Sequence, residues 1–450
     1  KVYLVEKEAS IGGRMAQIDK TFPTMDCSIC ILAPKMSEVG RHPNIEMMTL
    51  SEVESVDGYI GNFQVKVRKK SRYVTDDCTY CGDCVKDCPQ HMPNEFDCGL
   101  STRRGIYSPF AQAVPATYLI DMDSCMNKHG IVACDRCYRL CQHKCIDFSQ
   151  KEEILDLEVG TIIVCTGSDV YDPTSLTELG YRRFPNVITS LEFERLINAG
   201  GPTGGTLTRP PAKKPPKSVG FLQCIGSRSK RSNPYCSNIC CMNTIKDALL
   251  IREHWPDTKI YVFYMDIRAF GKGFEDLLMR ARREGVIFIR GIPGEILQDD
   301  RTHSLKLIGE NTLLSKLYEY EADMVILSVG IEPRKDSVVV KRLLSLPSMA
   351  DGFFMEAHPK LRPVDTPTGG IFLAGCAEGP KDIKDSVTQA SAAASRANIL
   401  MSKGKVTVEA RANRIAHLLR ARGVRRGALV GLALDRGIDM LAGLLGILKS

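Results

Sequence analysis

A chain of 450 residues, 44% of them hydrophobic, is long enough for two to four domains with sizeable cores. Its formal net charge of +7 sits at one end: from residue 403 onward there are ten Lys/Arg against three Asp/Glu, and the residues before that point carry 50 of each sign. The body is therefore neutral. Its two basic runs, at residues 66–72 and 209–217, have no interleaved aromatics, which argues against nucleic acid as a partner.

A bilayer span needs about 18 uninterrupted apolar residues, and the longest candidate, residues 428–448, is broken by Asp435, Arg436 and Asp439. No early charged-then-apolar stretch has the form of a signal peptide. The expected location is the cytoplasm, where the 18 cysteines would serve as metal-binding thiols rather than a disulfide framework.

Residues 2–5 read as a buried parallel strand that ends on Glu6 and Lys7. In a dinucleotide-binding fold such a carboxylate binds ribose hydroxyls. Gly12 and Gly13 would let backbone approach a ligand closely, and Arg14 could pair with phosphate. The glycine-rich phosphate turn should come about 20 residues before such a carboxylate. That point falls ahead of Lys1, so the first strand and helix of this fold are expected to be missing. Cys27-x2-Cys30 fits a redox disulfide, half of a metal site or a buried thiol pair, and the spacing alone does not choose. Residues 58–70 read as a β-hairpin leading onward.

Ten of the 18 cysteines fall between Cys78 and Cys145. Cys78-x2-Cys81-x2-Cys84-x3-Cys88, followed by Pro89, has the bacterial ferredoxin spacing for [4Fe–4S] clusters. Zinc favours separated CxxC pairs, and disulfide frameworks suit small secreted chains. The partner run is Cys125-x8-Cys134-x2-Cys137-x3-Cys141, stretched at its start. The crossed arrangement of two-cluster ferredoxins groups Cys78, Cys81 and Cys84 with Cys141, and Cys125, Cys134 and Cys137 with Cys88. Cys98 and Cys145 are left over.

The opening stretch from Val2 to Met36, with this motif inserted after it, resembles the A subunits of heterodisulfide reductases over residues 1–402. Those form an iron–sulfur flavoprotein family of methanogens and sulfate reducers. The resemblance implies an α/β fold of two Rossmann-like, thioredoxin-reductase-type halves with an inserted α+β ferredoxin-like domain. It also implies FAD, a multi-subunit complex with partner subunits B and C, a ferredoxin or hydrogenase-type donor and, in some systems, flavin-based bifurcation. The expected FAD domain comprises residues 1–71, 151–217 and 336–402. The insert is 72–150, the second Rossmann-like domain 218–335, and the tail 403–450.

After the insert, residues 161–164 read as a strand, and Thr166 and Gly167 close a turn of the kind that packs on FAD. A Gly/Pro-rich linker leads to a strand at 219–222. There a nicotinamide-nucleotide site would need a glycine-rich turn, but the chain has Cys224, Ile225, Gly226, Ser227 and Arg228. Cys224, Cys236, Cys240 and Cys241 could hold a third [4Fe–4S] cluster, as the family's run at this place implies; buried structural cysteines are the bland alternative. Strands ending at Asp266 and Val329 support a second Rossmann-like half, with Asp266 and Arg268 equally suited to ribose, phosphate or plain structure. Residues 371–374 form another strand. Gly375 and Cys376 then stand where thioredoxin-reductase-type enzymes have Gly-Asp, leaving Lys381, Asp382 and Ile383, before a small-residue helix at 386–398, to contact the flavin's ribityl chain. The tail 406–450 resembles an N-terminal fragment of a peptide-synthetase adenylation domain, without its catalytic residues.

The expected function is electron transfer between FAD and clusters, with no proton-transferring catalytic residue. His91, His129 and His143 lie near cysteines without forming a ligand set. Two alternatives stand beside it: an NAD(P)H-dependent oxidoreductase of the glutamate-synthase small-subunit type, which the Cys224 turn disfavours, and a cluster-only electron relay.

Overall fold

The computed structural model describes residues 1–129, 133–209, 214–402, 418–419 and 422. The adenylation-like tail lies outside the described residues except for three positions. The protein is α/β and divides into two compact units. One comprises Lys1–Val53, Val67–Leu155 and Asp169–Glu332; the other comprises Glu54–Lys66, Asp156–Ser168 and Pro333–Ser450.

The first unit is built on a five-stranded sheet in the order Val187–Thr189, Met324–Val329, Ser218–Ile225, Lys259–Tyr264, Ile287–Arg290. Every pairing is parallel. A parallel strand covered on both faces reads as a continuous apolar run, and Val219, Phe221 and Leu222 are fully buried. Successive side chains point to opposite faces. Phe221 therefore packs with Met242, Ile245 and Leu249 of helix Cys240–His254 and with Leu277 of helix Phe274–Arg283. Leu222 packs on the other face with Phe263, Leu305 and Leu307. That face is covered by an antiparallel sheet of Glu295–Gln298, Leu305–Asn311 and Lys316–Ala322. This Rossmann-like half takes in Val187–Thr189, ahead of the linker expected to open it at residue 218. The edge strand is fixed by the buried Asn186 amide, which donates to the carbonyls of His303 (2.9 Å) and Asp323 (2.7 Å).

Helix Ser190–Ile197 starts from a reciprocal cap: Thr189 Oγ1 accepts from Glu192 N, and Glu192 Oε2 accepts from Thr189 N. Thr189→Ala should cost about 1 kcal/mol, read as faster amide exchange in this helix. The same helix carries Glu194 and Arg195, both buried. Arg195 donates to Asp97 Oδ1 and to Gln17 O, each at 3.0 Å. Glu194 binds the ammonium of fully buried Lys246 and, through Oε2, accepts from Asp19 N at 2.9 Å. Asp247 Oδ1 lies 3.0 Å from Lys246 Nζ, in ion-pair range but without hydrogen-bond geometry.

Also in the first unit, Val2–Val5 pairs in parallel with Ile45–Met48, connected through helix Ser28–Arg41. The insert has two small antiparallel ladders, His91–Pro93 with Thr102–Arg104 and Ile106–Tyr107 with Leu119–Ile120, and two short helices, Asp83–Lys86 and Arg136–Leu140. Its core mixes Val74, Ile106, Ile120 and Ile146 with cysteines. In the second unit, Ile162–Val164 pairs in parallel with Ile371–Leu373. Val364, Phe372 and Ala374 there pack against Ala393 and Ala397 of helix Ile383–Ser402, whose small side chains permit close approach. Among the described residues no helix is long and apolar enough to cross a membrane.

Candidate metal centres

The insert holds two cysteine-lined cavities. One is walled by Cys78, Cys81, Cys84 and Cys141, together with Tyr118, His143 and Cys145. The other is walled by Cys88, Cys125, Cys134 and Cys137, together with Ile106 and Ile120. The chain thus brings together the two sets of four that a crossed arrangement groups. The stretched loop between Cys125 and Cys134 is closed by Asn127, whose Oδ1 accepts from Cys134 N at 2.8 Å and whose Nδ2 donates to Cys134 O at 2.5 Å.

Burial, reinforced by neighbouring thiols, pushes Cys84 up to about 12 and Cys137 up to about 11. Such thiols stay protonated until a cation draws the proton off. Cys141 behaves oppositely. Burial opposes its ionisation, but hydrogen bonds from Cys145 and from the backbone of Cys145, His143 and Lys144 outweigh that and hold it below the ordinary thiol range. Cys98 lines neither cavity; burial first, then Glu192, pushes it up to about 11.

The third group gathers where strand Ser218–Ile225 ends and helix Cys240–His254 begins. Cys224 takes a left-handed conformation (φ 60°), followed by Gly226 (φ 75°), where a Cβ would lie 2.2 Å from the Tyr171 ring. Cys240 Sγ donates to Val329 O at 3.6 Å and Cys241 Sγ to Asp266 O at 3.8 Å, so the two sulfurs reach the ends of the strands flanking Ser218–Ile225. Burial, then the charges of Cys224, Cys241 and Cys236, push the Cys240 thiol well up. Gln223, fully buried beside Cys224, has no hydrogen-bond partner for either side-chain polar atom. A buried amide left without a partner is unusual in a folded chain. Among the described residues no three His, Cys, Asp or Glu side chains converge as a single metal ion would need.

The residues expected to contact FAD are divided between the units. In the first, Glu6 N donates to Met48 O (2.8 Å), Gly12 and Gly13 take positive φ (122° and 53°), and Arg14 donates to Gln17 Oε1 (3.0 Å). In the second, Thr166 and Gly167 follow strand Ile162–Val164, and Gly375 and Cys376 follow Ile371–Leu373. Lys381 is held within its own turn, donating to the carbonyls of Gly375 and Gly379 at 2.8 Å. Asp382 Oδ1 accepts from Asp385 N at 2.8 Å, capping the helix that starts at Ile383. A side chain so engaged is a cap first, and the helix N-terminus is what it leaves for a ligand.

The chain is strongly similar to the A subunits of archaeal heterodisulfide reductases. It is 53% identical over 412 residues to the A subunit of the H2:CoB-CoM heterodisulfide,ferredoxin reductase of Methanothermobacter thermautotrophicus. It is 56% identical over 412 residues to the second iron-sulfur A subunit of the CoB–CoM heterodisulfide reductase of Methanopyrus kandleri. Each alignment covers 91% of this chain and 62% of the relative, so the chain spans about three fifths of their length. No protein-family model matches. Thioredoxin reductase from Lactococcus lactis aligns at 14% identity over 89% of this chain and 91% of its own, with a TM-score of 0.46, too weak a likeness to argue from.

In this heterodisulfide reductase-like sequence, the residues that local spacing could not reveal are Asn127, Gln223 and Cys145. Each acts through a partner or a face that only the folded chain supplies. A polar residue inside an apolar strand, as Gln223 is between Leu222 and Cys224, is the single signal that was readable.

Proposed function

We propose that the chain is an electron-transfer oxidoreductase subunit of heterodisulfide reductase type, with FAD and three [4Fe–4S] clusters. The single observation that carries this reading is the sorting of the eight expected insert ligands, four to each of two cavities, with Cys145 as a fifth cysteine in the first. When bound, FAD would take or give electron pairs and the clusters would pass electrons singly. The chain's own residues ligate, orient and exclude water. Cys78, Cys81, Cys84 and Cys141 would hold one cube and Cys88, Cys125, Cys134 and Cys137 the second, among walls that include Ile106, Ile120 and Ile146. Cys224, Cys236, Cys240 and Cys241 would hold the third. Within the first unit Glu6, Lys7, Gly12, Gly13 and Arg14, and within the second Thr166, Gly167, Gly375, Cys376, Lys381, Asp382 and Ile383, would be the candidates for flavin contact. Relatives from Methanosarcina acetivorans and Methanosarcina mazei are named as ferredoxin-dependent A subunits, which supports a ferredoxin-type donor; partner subunits of the B and C kind and bifurcation at the flavin would complete the reading.

Iron, acid-labile sulfide and flavin analysis of anaerobically purified protein tests this. About twelve iron atoms are expected, four per cube, with bound FAD. About eight would remove the cluster at Cys224–Cys241, and a colourless or zinc-only protein would overturn the reading.

A further inference from the structure

We propose that Cys27 and Cys30 are a redox-active pair that exchanges two electrons with an external dithiol, Cys30 being the sulfur attacked and Cys27 the leaving thiolate. The two are disulfide-bonded, with Cα atoms 5.3 Å apart, and no other disulfide forms among the described residues. Neither lines an insert cavity, so the proposal stands apart from the cluster reading.

A bridge between residues only three apart in sequence constrains the unfolded chain least of all, because the stabilisation grows with loop length. Its scaffold does not depend on it either. Ser28, buried between the two cysteines, donates its Oγ–H to Met15 O (2.6 Å) and its N–H to Asp19 O (2.9 Å). Thr21 N donates to Asp26 O at 2.8 Å, closing the preceding loop. The bridge can therefore open while the backbone stays in place.

The two sulfurs are unequal. Cys30 is exposed and Cys27 half-buried. Cys27 is the N-cap of the 14-residue helix Ser28–Arg41, its Sγ accepts from Cys30 N at 3.3 Å, and the first turn carries no acidic side chain. A thiolate released at Cys27 is stabilised by that amide and by the helix dipole, and a stabilised thiolate leaves faster. Exchange then runs in two steps. A thiolate of the dithiol attacks Cys30 Sγ, the Cys27–Cys30 bond breaks, and Cys27 departs with the electron pair. The second thiol of the dithiol, as its thiolate, attacks the dithiol's own bridged sulfur and releases Cys30. In sum the dithiol becomes a disulfide, and its two electrons and two protons pass to Cys27 and Cys30.

The test is differential alkylation with peptide mass spectrometry on the anaerobic full chain, poised in mixtures of reduced and oxidised dithiothreitol. Cys27 and Cys30 should pass together from blocked to alkylated as the reduced fraction rises and return as it falls, with iron content unchanged. Repeating the titration with reduced thioredoxin separates the sources: reduction by both reagents assigns a protein dithiol, by dithiothreitol alone a small one. In single variants, Cys27 of C30S should react with iodoacetamide at neutral pH at least about three times faster than Cys30 of C27S, the ratio for a thiol about one pKa unit lower, whose larger thiolate fraction is partly offset by weaker nucleophilicity. A pair that stays bonded in excess dithiothreitol overturns the proposal. So do equal reactivities, or iron lost when the pair is alkylated, which would make these residues metal ligands.

Discussion

Cys84→Ala and Cys88→Ala, four residues apart in sequence, should damage different clusters. Cys84 lines the cavity with Cys141, and Cys88 lines the one with Cys125, Cys134 and Cys137. Under the proposed ligation, Cys84→Ala and Cys141→Ala should abolish one electron paramagnetic signature of the reduced protein. Cys88→Ala and Cys125→Ala should abolish another. Each variant should lose between about one and four iron atoms, depending on whether a three-iron remnant survives. The stability effect should be local and large. The insert's core is a few aliphatic side chains among thiols, and a domain of this size with so thin a core depends on its metal for folding energy. Hydrogen exchange should therefore rise throughout the insert while the five-stranded sheet stays protected. Loading should also weaken as pH falls, because thiols that burial holds at about 12 and about 11 must shed protons to bind iron. If Cys84→Ala and Cys88→Ala abolish the same signal, the crossed division is wrong.

What could be read from sequence was whatever is encoded locally. The cysteine spacing grouped the insert ligands because three of each four lie within one loop, and the strand Val2–Val5 and the helix around Phe274–Arg283 follow from apolar runs and periodicity. The Gly/Pro-rich stretch before residue 218 looked like a boundary, yet Val187–Thr189 on its far side belongs to the sheet that follows. Composition reports a flexible excursion but not which strands the chain rejoins. The small-residue helix runs Ile383–Ser402, longer at both ends than 386–398, because Asp382 caps it earlier. The contacts least readable were those with partners over a hundred residues away: Arg195 with Gln17, Asn186 with His303, and Lys246 with Asp19 through Glu194. In sequence each of these is an ordinary charged or polar residue on a surface-like pattern. Only the fold turns them inward.

Lys246→Met should lower stability by about 3–5 kcal/mol at neutral pH, the usual cost of breaking a buried ion pair from one side. Methionine fills a similar volume, so the loss would come from charge rather than from a cavity. Lys246, Glu194 and Asp247 are all buried, and Asn243 Nδ2 donates to Asp247 Oδ2 at 2.9 Å. Burial and then the Glu194 charge hold Asp247 well above the ordinary carboxylate range, and Lys246 is the principal group pulling it back down. Asp19 is raised by the same two causes and lowered first by Lys246. Without the ammonium both carboxyls must rise further. A group whose folded-state pKa exceeds its unfolded value contributes stability below the unfolded value and loses it as pH rises through the folded one. The deficit of the variant should therefore be greatest at neutral and alkaline pH and shrink on acidification towards the carboxylate range. Replacing Glu194 and Asp247 by leucine in the same chain should restore much of the loss, because the two fully buried carboxylates are then gone and only half-buried Asp19 remains. Denaturant unfolding followed through Trp255, which packs against this core, reads all three forms. An unchanged midpoint for Lys246→Met at neutral pH, or a deficit that grows in acid, would show that the ammonium is not what keeps these carboxylates buried.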